Sequence, residues 1–132
     1  RGVLPLTLRD TWDVTILRKP KMPIQTDPLA AVDMALQNPV GCGTIDSLAD
    51  GGGKVCVLVC DITRPVPNGT ILPILIGRLM ASGFEPKDIT ILIATGLHRP
   101  NEGEELAEVI GDAWVLNTVN VVNHFAQNDI AV

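Results

Sequence analysis

The sequence predicts an α/β fold with an open, mainly parallel, Rossmann-like sheet and helices on both faces. Two apolar runs, 55–60 and 89–94, have the length of buried strands and lack the alternation of a strand with one wet face. A segment with helical periodicity separates them, and strands that alternate with helices form parallel sheets through right-handed crossovers. The apolar content is aliphatic, with two Trp, two Phe and no Tyr, which favours buried strands of Val, Ile and Leu.

Length and composition indicate one domain spanning residues 1–132. A hydrophobic content of 46% and a charged content of 19% supply a sizeable core. The net charge of -5 and the few aromatic rings argue against a nucleic-acid partner. Because the apolar runs are too short for a bilayer and no secretion signal is recognisable, we expect a soluble cytoplasmic protein without a membrane partner. The chain begins with Arg1 rather than Met, and we expect it to be trimmed from a longer protein.

The first third of the chain predicts one strand and one helix. Residues 12–17 alternate as a short strand, and the basic, proline-containing stretch 18–23 follows as a linker. Asp27 and Pro28 combine an N-cap with a proline at the first helical position, so a helix is expected from there to Asn38.

A helical turn over 44–49 is expected next, before the triple glycine 51–53. We interpret those glycines as a flexible connection, because phosphate-binding glycines follow a strand and open a helix.

From Lys54 onward the elements alternate regularly, and two glycines mark helix ends. The predicted order is a strand to Cys60, a helix 70–82 stopped by Gly83, a strand 89–94, a helix 102–110 stopped by Gly111, and a weaker strand 118–122.

The three cysteines predict free thiols. The number of cysteines is odd, and their spacing is not that of a zinc site; they are Cys42, Cys56 and Cys60. Cys56 and Cys60 would lie about 13 Å apart along one strand, too far for a disulfide. We expect both to be small core residues.

Polar residues follow each of the three later strands, and ligands of open parallel sheets bind outside the carboxyl ends of the strands. If the strands are neighbours, these residues form one rim. They are Asp61, Thr63 and Arg64, then Thr95, Gly96, His98 and Arg99, then Asn123 and His124.

Arg64 is the candidate anion-binding residue of this rim, since a guanidinium can hold a carboxylate or phosphate at two points. Pro65 and Pro67 stiffen its loop. Alternatively, Arg64 faces solvent and pairs with Asp61. Asp61 itself could cap a helix, orient Arg64 or contact a substrate hydroxyl.

His98 is the candidate proton-exchanging residue, because imidazole titrates near neutral pH. The alternative is an ordinary surface histidine. Backbone N–H groups of Thr95 and Gly96 could face an oxygen anion, and His124 is a weaker candidate. The sequence contains no recognisable serine or cysteine nucleophile with a base and no metal site, so an enzyme of this kind would obtain its electrophile or redox group elsewhere.

Three motifs together resemble the N-terminal domain of the nickel-pincer lactate racemase family. They are the loop 61–65 (DITRP), the strand and loop 89–100 ending in GLHRP, and 122–124 (VNH), with the leading Arg1–Gly2 also in agreement. Their order and spacing match over almost the whole chain. One difference is Phe125, where the family usually has Asp after the histidine.

The resemblance implies a racemase of a small 2-hydroxy acid such as lactate. Its cofactor would be a nickel-pincer nucleotide, a pyridinium mononucleotide with sulfur donors that holds nickel and accepts a hydride. By motif, His98 would be one of two catalytic acid/base histidines, and Arg64 would bind the substrate carboxylate with Asp61 assisting. Thr63 and Arg99 would also bind the substrate. Thr95, Gly96 and, more weakly, His124 would face the cofactor.

The same resemblance places the cofactor-bearing lysine, the nickel-binding histidine and the second catalytic histidine beyond residue 132. We therefore expect this chain to carry no cofactor and to be inactive without the C-terminal part of the same protein. The competing hypothesis is a non-catalytic anion- or nucleotide-binding module that uses the same rim.

Overall fold

The computed structural model describes residues 3–48 and 53–126, and it confirms the α/β class. Its three strands form one parallel sheet in the order β1-β2-β3. In chain order the elements are α1 (Pro28–Gln37), α2 (Ile45–Leu48), β1 (Val55–Cys60), α3 (Asn68–Ala81), β2 (Ile89–Ala94), α4 (Gly103–Ile110), α5 (Ala113–Thr118) and β3 (Asn120–Asn123), with a 3-10 turn, Pro86–Asp88, before β2.

The register of the sheet brings the three strand ends together. β1 pairs with β2 from Val55 opposite Ile89 to Cys60 opposite Ala94. β2 pairs with β3 as far as Ile93 opposite Asn123. The strands are therefore neighbours, as the predicted rim requires.

One face of the sheet forms the hydrophobic core with α3, α4 and α5. Ile89, Ile91 and Ile93 of β2 have no exposed surface and face this side. Burying a side chain of this size contributes about 1.5–3 kcal/mol. The other buried members are Val59, Leu72, Ile76, Leu79, Val109, Ile110, Val115 and Val119.

The opposite face carries exposed side chains on β1. Leu58 is 68% exposed, and Cys56 and Cys60 are exposed beside it. All three cysteines are free, as predicted, but the placement of Cys56 and Cys60 in the core was wrong. Successive strand residues point to opposite faces, and among the described residues helices cover only the face of Val55, Val57 and Val59.

The N-terminal strand prediction was wrong. Residues 12–17 have no regular structure, and the N–H of Trp12 instead closes a turn by donating to the carbonyl of Arg9 at 3.0 Å. Alternation gives a segment two faces, but a strand also needs a hydrogen-bonding partner, and none pairs with this segment among the described residues. Arg1, Gly2, Gly51 and Gly52 lie outside the described residues.

The residues predicted to cap or end the longer helices do so in the structure. Asp27 caps α1 by accepting from the N–H of Ala30 at 2.9 Å. Gly83 and Gly111 follow α3 and α4 with φ of +103° and +70°, the left-handed conformation that favours glycine.

Among the described residues, no helix combines the length and the apolar character that crossing a membrane requires.

The last crossover contains a helix that the sequence interpretation missed. Asp112 caps α5 by accepting from the N–H of Val115 at 2.9 Å, and the helix ends at Thr118, where a strand was expected to start. The apolar and β-branched residues of this stretch favour a strand, but the aspartate after Gly111 is a start signal. β3 therefore begins two residues later, at Asn120.

We expect Gly69→Ala to lower the free energy of unfolding by about 1–3 kcal/mol, the usual effect of overpacking. A Cβ at Gly69, in the first turn of α3, would lie 2.5 Å from the carbonyl oxygen of Gly111. A Cβ at Gly77, in the middle of the same helix, meets nothing within 4 Å. Gly77→Ala should therefore raise stability by about 0.5–1 kcal/mol. Urea unfolding of both variants measures the contrast, and equal effects would contradict the close packing.

Candidate functional site

The site begins with a buried carboxylate directly after β1. Asp61 is 5% exposed. Its Oδ1 accepts from the Thr63 hydroxyl at 2.6 Å and from the Thr63 N–H at 3.2 Å. Its Oδ2 lies 2.5 Å from Nδ1 of His98. The aspartate thus joins the loop after β1 to the loop after β2.

The loop after β2 presents the imidazole. The N–H of His98 donates to the carbonyl of Thr95 at 3.0 Å, and Gly96 takes a φ of +59° within this turn. The His98 side chain is 60% exposed although its partner carboxylate is buried. An ionised carboxylate only accepts hydrogen bonds, so Nδ1 carries a proton and Nε2 is left for a ligand.

The surroundings of Asp61 keep it ionised. The Thr63 hydroxyl and the His98 ring hold the pKa of Asp61 below its ordinary value of 3.8, against the opposing effect of burial. The negative charge behind the imidazole therefore persists at neutral pH.

Arg64 lies in the same region. Its N–H donates to the carbonyl of Asp61 at 3.1 Å, which fixes the backbone of the loop after β1. Its side chain is exposed, and it forms no ion pair with another described residue. An open crevice of about 460 Å³ between the two loops is lined by Arg64, Asp61 and His98, among others. A free guanidinium and an imidazole thus face one space.

Arg99, the other predicted binding arginine, lies against a carboxylate of its own chain. Its guanidinium donates to the two oxygens of Glu105 at 2.6 and 2.9 Å. Arg99, together with the amide of Asn101, holds the pKa of Glu105 below its usual value. With its charge already paired, Arg99 is less suited than Arg64 to bind an anion.

Two asparagine side chains hold the three strand ends together. Asn123 accepts from the N–H of Asn101 and donates to its carbonyl, both at 2.9 Å. Asn101, 2% exposed, accepts from the N–H of Ile62 at 3.4 Å and donates to Glu105 at 2.9 Å. The sequence interpretation missed Asn101, which carries no local signal beyond its position after Pro100.

Thr95 and His124 also join neighbouring strand ends. Thr95 is buried, and its hydroxyl donates to the carbonyl of His124, whose N–H donates to the carbonyl of Ile93 at 2.9 Å. The side chain of Thr95 thus has a structural role, whereas Gly96 is exposed beside the crevice. The contacts of Thr95, Gly96 and His124 with a cofactor stay predictions.

The described residues do not provide a metal site. No group of three His, Cys, Asp or Glu side chains within 3–48 and 53–126 is placed to hold a metal ion. The arrangement can instead supply a proton-exchanging imidazole and an anion-binding guanidinium to one crevice.

The fold and site define an α/β domain with a His–Asp pair at the carboxyl ends of parallel strands. Its sequence matches the family model described as lactate racemase N-terminal domain over residues 1–132, and the chain belongs to this family.

Two lactate racemases are among its relatives. The enzyme of Lactiplantibacillus plantarum is 38% identical over 98 residues, covering 74% of this chain and 23% of the relative. The enzyme of Thermoanaerobacterium thermosaccharolyticum is 35% identical over 92 residues, covering 70% of this chain and 21% of the relative. The chain thus spans less than a quarter of the length of these relatives.

A solved structure shows the same fold. The lactate racemase apoprotein from Thermoanaerobacterium thermosaccharolyticum superposes with a TM-score of 0.67 and 31% identity, covering 74% of this chain and 23% of that one.

We expect Asp61→Asn to lower stability at neutral pH, with a difference from wild type that disappears in acid. A carboxylate whose pKa is depressed by folding contributes stability that is complete above its unfolded value, near 3.8, and lost as the pH falls through the folded value. Urea unfolding at a series of pH values measures the difference.

The control is Asp27→Asn at the cap of α1, where asparagine serves as well as aspartate. A deficit of Asp61→Asn that stayed constant from neutral pH to below 3.8 would show that the ionised carboxylate is not the stabilising group.

Proposed function

We propose that this chain is the substrate-side part of a racemase that inverts a small 2-hydroxy acid such as lactate. The observation that carries the proposal is the contact between His98 and the buried Asp61, on a crevice that Arg64 shares, in a domain of the lactate racemase family. The function belongs to the full-length protein, since the chain covers less than a quarter of its relatives.

His98 exchanges the proton of the substrate hydroxyl. Because Asp61 holds the Nδ1 proton, Nε2 is the basic nitrogen, and it takes the hydroxyl proton as the alcohol is oxidised. The imidazolium formed lies beside the Asp61 carboxylate, and the same nitrogen returns the proton when the original enantiomer is re-formed. The ring need not change its tautomer or orientation between the two halves of the reaction.

Arg64 binds the carboxylate of the substrate. The guanidinium lines the crevice that contains His98 and can form two parallel hydrogen bonds to a carboxylate. Asp61, buried behind His98 and bonded to Thr63, is better placed to position the imidazole than to contact substrate. Its role is therefore that of a positioning residue, and Thr63 acts through it.

Inversion also requires hydride to leave one face of the α carbon and return to the other. The family resemblance assigns that step to a nickel-pincer nucleotide, and no group of three His, Cys, Asp or Glu side chains among the described residues is placed to hold a metal ion. The same resemblance places the cofactor-bearing lysine and the second acid/base group in the remainder of the full-length protein. The residues of this chain bind the substrate and move its hydroxyl proton.

We expect the full-length, cofactor-loaded protein to interconvert the enantiomers of a 2-hydroxy acid, measured by chiral chromatography over a panel of such acids. His98→Ala should lower kcat by about 10²–10⁴-fold, the usual contribution of a general acid/base. Absence of conversion with every acid, nickel and cofactor being bound, would contradict the proposal.

His124→Ala is the matched control for the histidine. The ring of His124 lies on the loop after β3, and the contacts that order this loop involve its backbone. The His98 variant should lose far more activity than the His124 variant. An unchanged rate for His98→Ala would remove this residue from the mechanism, while tight nucleotide binding without turnover would favour an anion-binding module.

We expect Arg64→Lys to raise KM by roughly ten- to a hundredfold, because a lysine forms one contact where the guanidinium forms two, and a charge-assisted hydrogen bond contributes about 1.5–3 kcal/mol. Steady-state kinetics of the full-length protein provide the measurement. Arg99→Lys is the control, since Glu105 already pairs with Arg99. A larger rise in KM for Arg99→Lys would exchange the roles of the two arginines.

A further inference from the structure

β1 has an uncovered face and an unpaired edge. Cys56, Leu58 and Cys60 point away from the core and are exposed, while Val55, Val57 and Val59 face it. Among the described residues β1 pairs only with β2, so one of its two edges has no partner strand there. Parallel strands of α/β proteins are covered on both faces, so this apolar face is expected to be covered by further polypeptide.

The composition of the strands indicates which edge of the sheet is extended. β1 has six residues, VCVLVC, and is apolar on both faces, as in the interior strands of a sheet. β3 has four residues, NVVN, with asparagine at each end, and it resembles the short polar strands that end sheets. The contrast favours a further strand beside β1 rather than beside β3.

The hand of the connections then determines which face is covered. The crossovers through α3 and through α4–α5 both step from β1 toward β3, so as right-handed connections they lie on the same face. A connection that returns from β3 to the far side of β1 steps in the opposite direction. Its right-handed path lies over the other face, the one that carries Leu58.

We propose that the polypeptide following β3 in the full-length protein adds a parallel strand to the free edge of β1 and packs its crossover on Cys56, Leu58 and Cys60. The occupant is this later segment, because lactate racemases of the family are more than four times as long as the part matched here. β1 becomes an interior strand with both faces covered.

This arrangement gives the site a defined second half. β1 would stand at the point where the strand order reverses, and ligands of open α/β sheets bind at such points, outside the carboxyl ends of the strands. Asp61 and Arg64 follow β1 directly. The residues after the added strand would therefore lie across from them. The proposal rests on the proposed function in one respect, that the chain is part of a longer racemase. Its test does not require racemase activity.

Alkylation of cysteines in the native full-length protein, with the modified residues identified by peptide mapping, tests the covered face. Cys56 and Cys60 should react at least about a hundredfold more slowly than Cys42, since they would react only after local opening. Cys42 is exposed in the loop after α1 and is the internal control. Reaction of Cys56 and Cys60 at the rate of Cys42 would overturn the proposal.

The alkylation experiment distinguishes two other possible occupants of the exposed face of β1. Protection that is lost on dilution would identify a second copy of the chain, and protection lost on deleting residues 3–24 would identify the exposed N-terminal segment. Either result would overturn the proposal. Protection that survives both changes supports it.

Amide hydrogen exchange tests the added strand. In a strand paired on one side only, alternate N–H groups lack partners and exchange fast. We expect slow exchange at every amide of Val55–Cys60 in the full-length protein, and fast exchange at alternate amides of Asn120–Asn123. The opposite pattern would place the new strand beside β3 and overturn the proposal.

Discussion

The register of β2 between its two parallel neighbours is the constraint on which the rest of the structure depends. β2 is bonded on both sides, and its three isoleucines form the centre of the core. A slip of one residue would turn these side chains to the opposite face. A slip of two would restore the faces but move His98 roughly 6.6 Å along the sheet, away from Asp61. The burial that stabilises the domain thus also sets the distance between the two residues.

Polar contacts at the strand ends fix the loops of the site relative to one another. Asn123 bonds both backbone groups of Asn101, and Asn101 bonds the backbone of Ile62, so three loops share one network. No buried side-chain polar atom among the described residues lacks a partner. Because an unpaired polar group in this environment is costly, the network favours one arrangement of the loops over its alternatives. The exposed imidazole is held by buried neighbours rather than by its own packing.

Two arginines of the rim have similar sequence contexts but different charge environments in the structure. Each lies in a loop that follows a strand and each is followed by proline, but Glu105 pairs with Arg99, whereas Arg64 lines the crevice with His98. Asp61 differs likewise from an ordinary surface carboxylate, since its partners hold it ionised while it is buried. One positive charge is therefore available to a ligand and one negative charge supports the imidazole.

The sequence by itself determined the α/β class, the bounds of β2, the cap of α1 and the glycine ends of α3 and α4, because periodicity, capping and left-handed glycines act within a few residues. It also indicated the rim, since the ends of neighbouring parallel strands share an edge. The tertiary structure decided which rim residues meet. The contacts of Asp61 with His98 and of Asn101 with Asn123 join residues 37 and 22 positions apart, and no local pattern encodes them. It also decided that Cys56 and Cys60 face outward, because the side of a strand that is buried depends on where the helices pack.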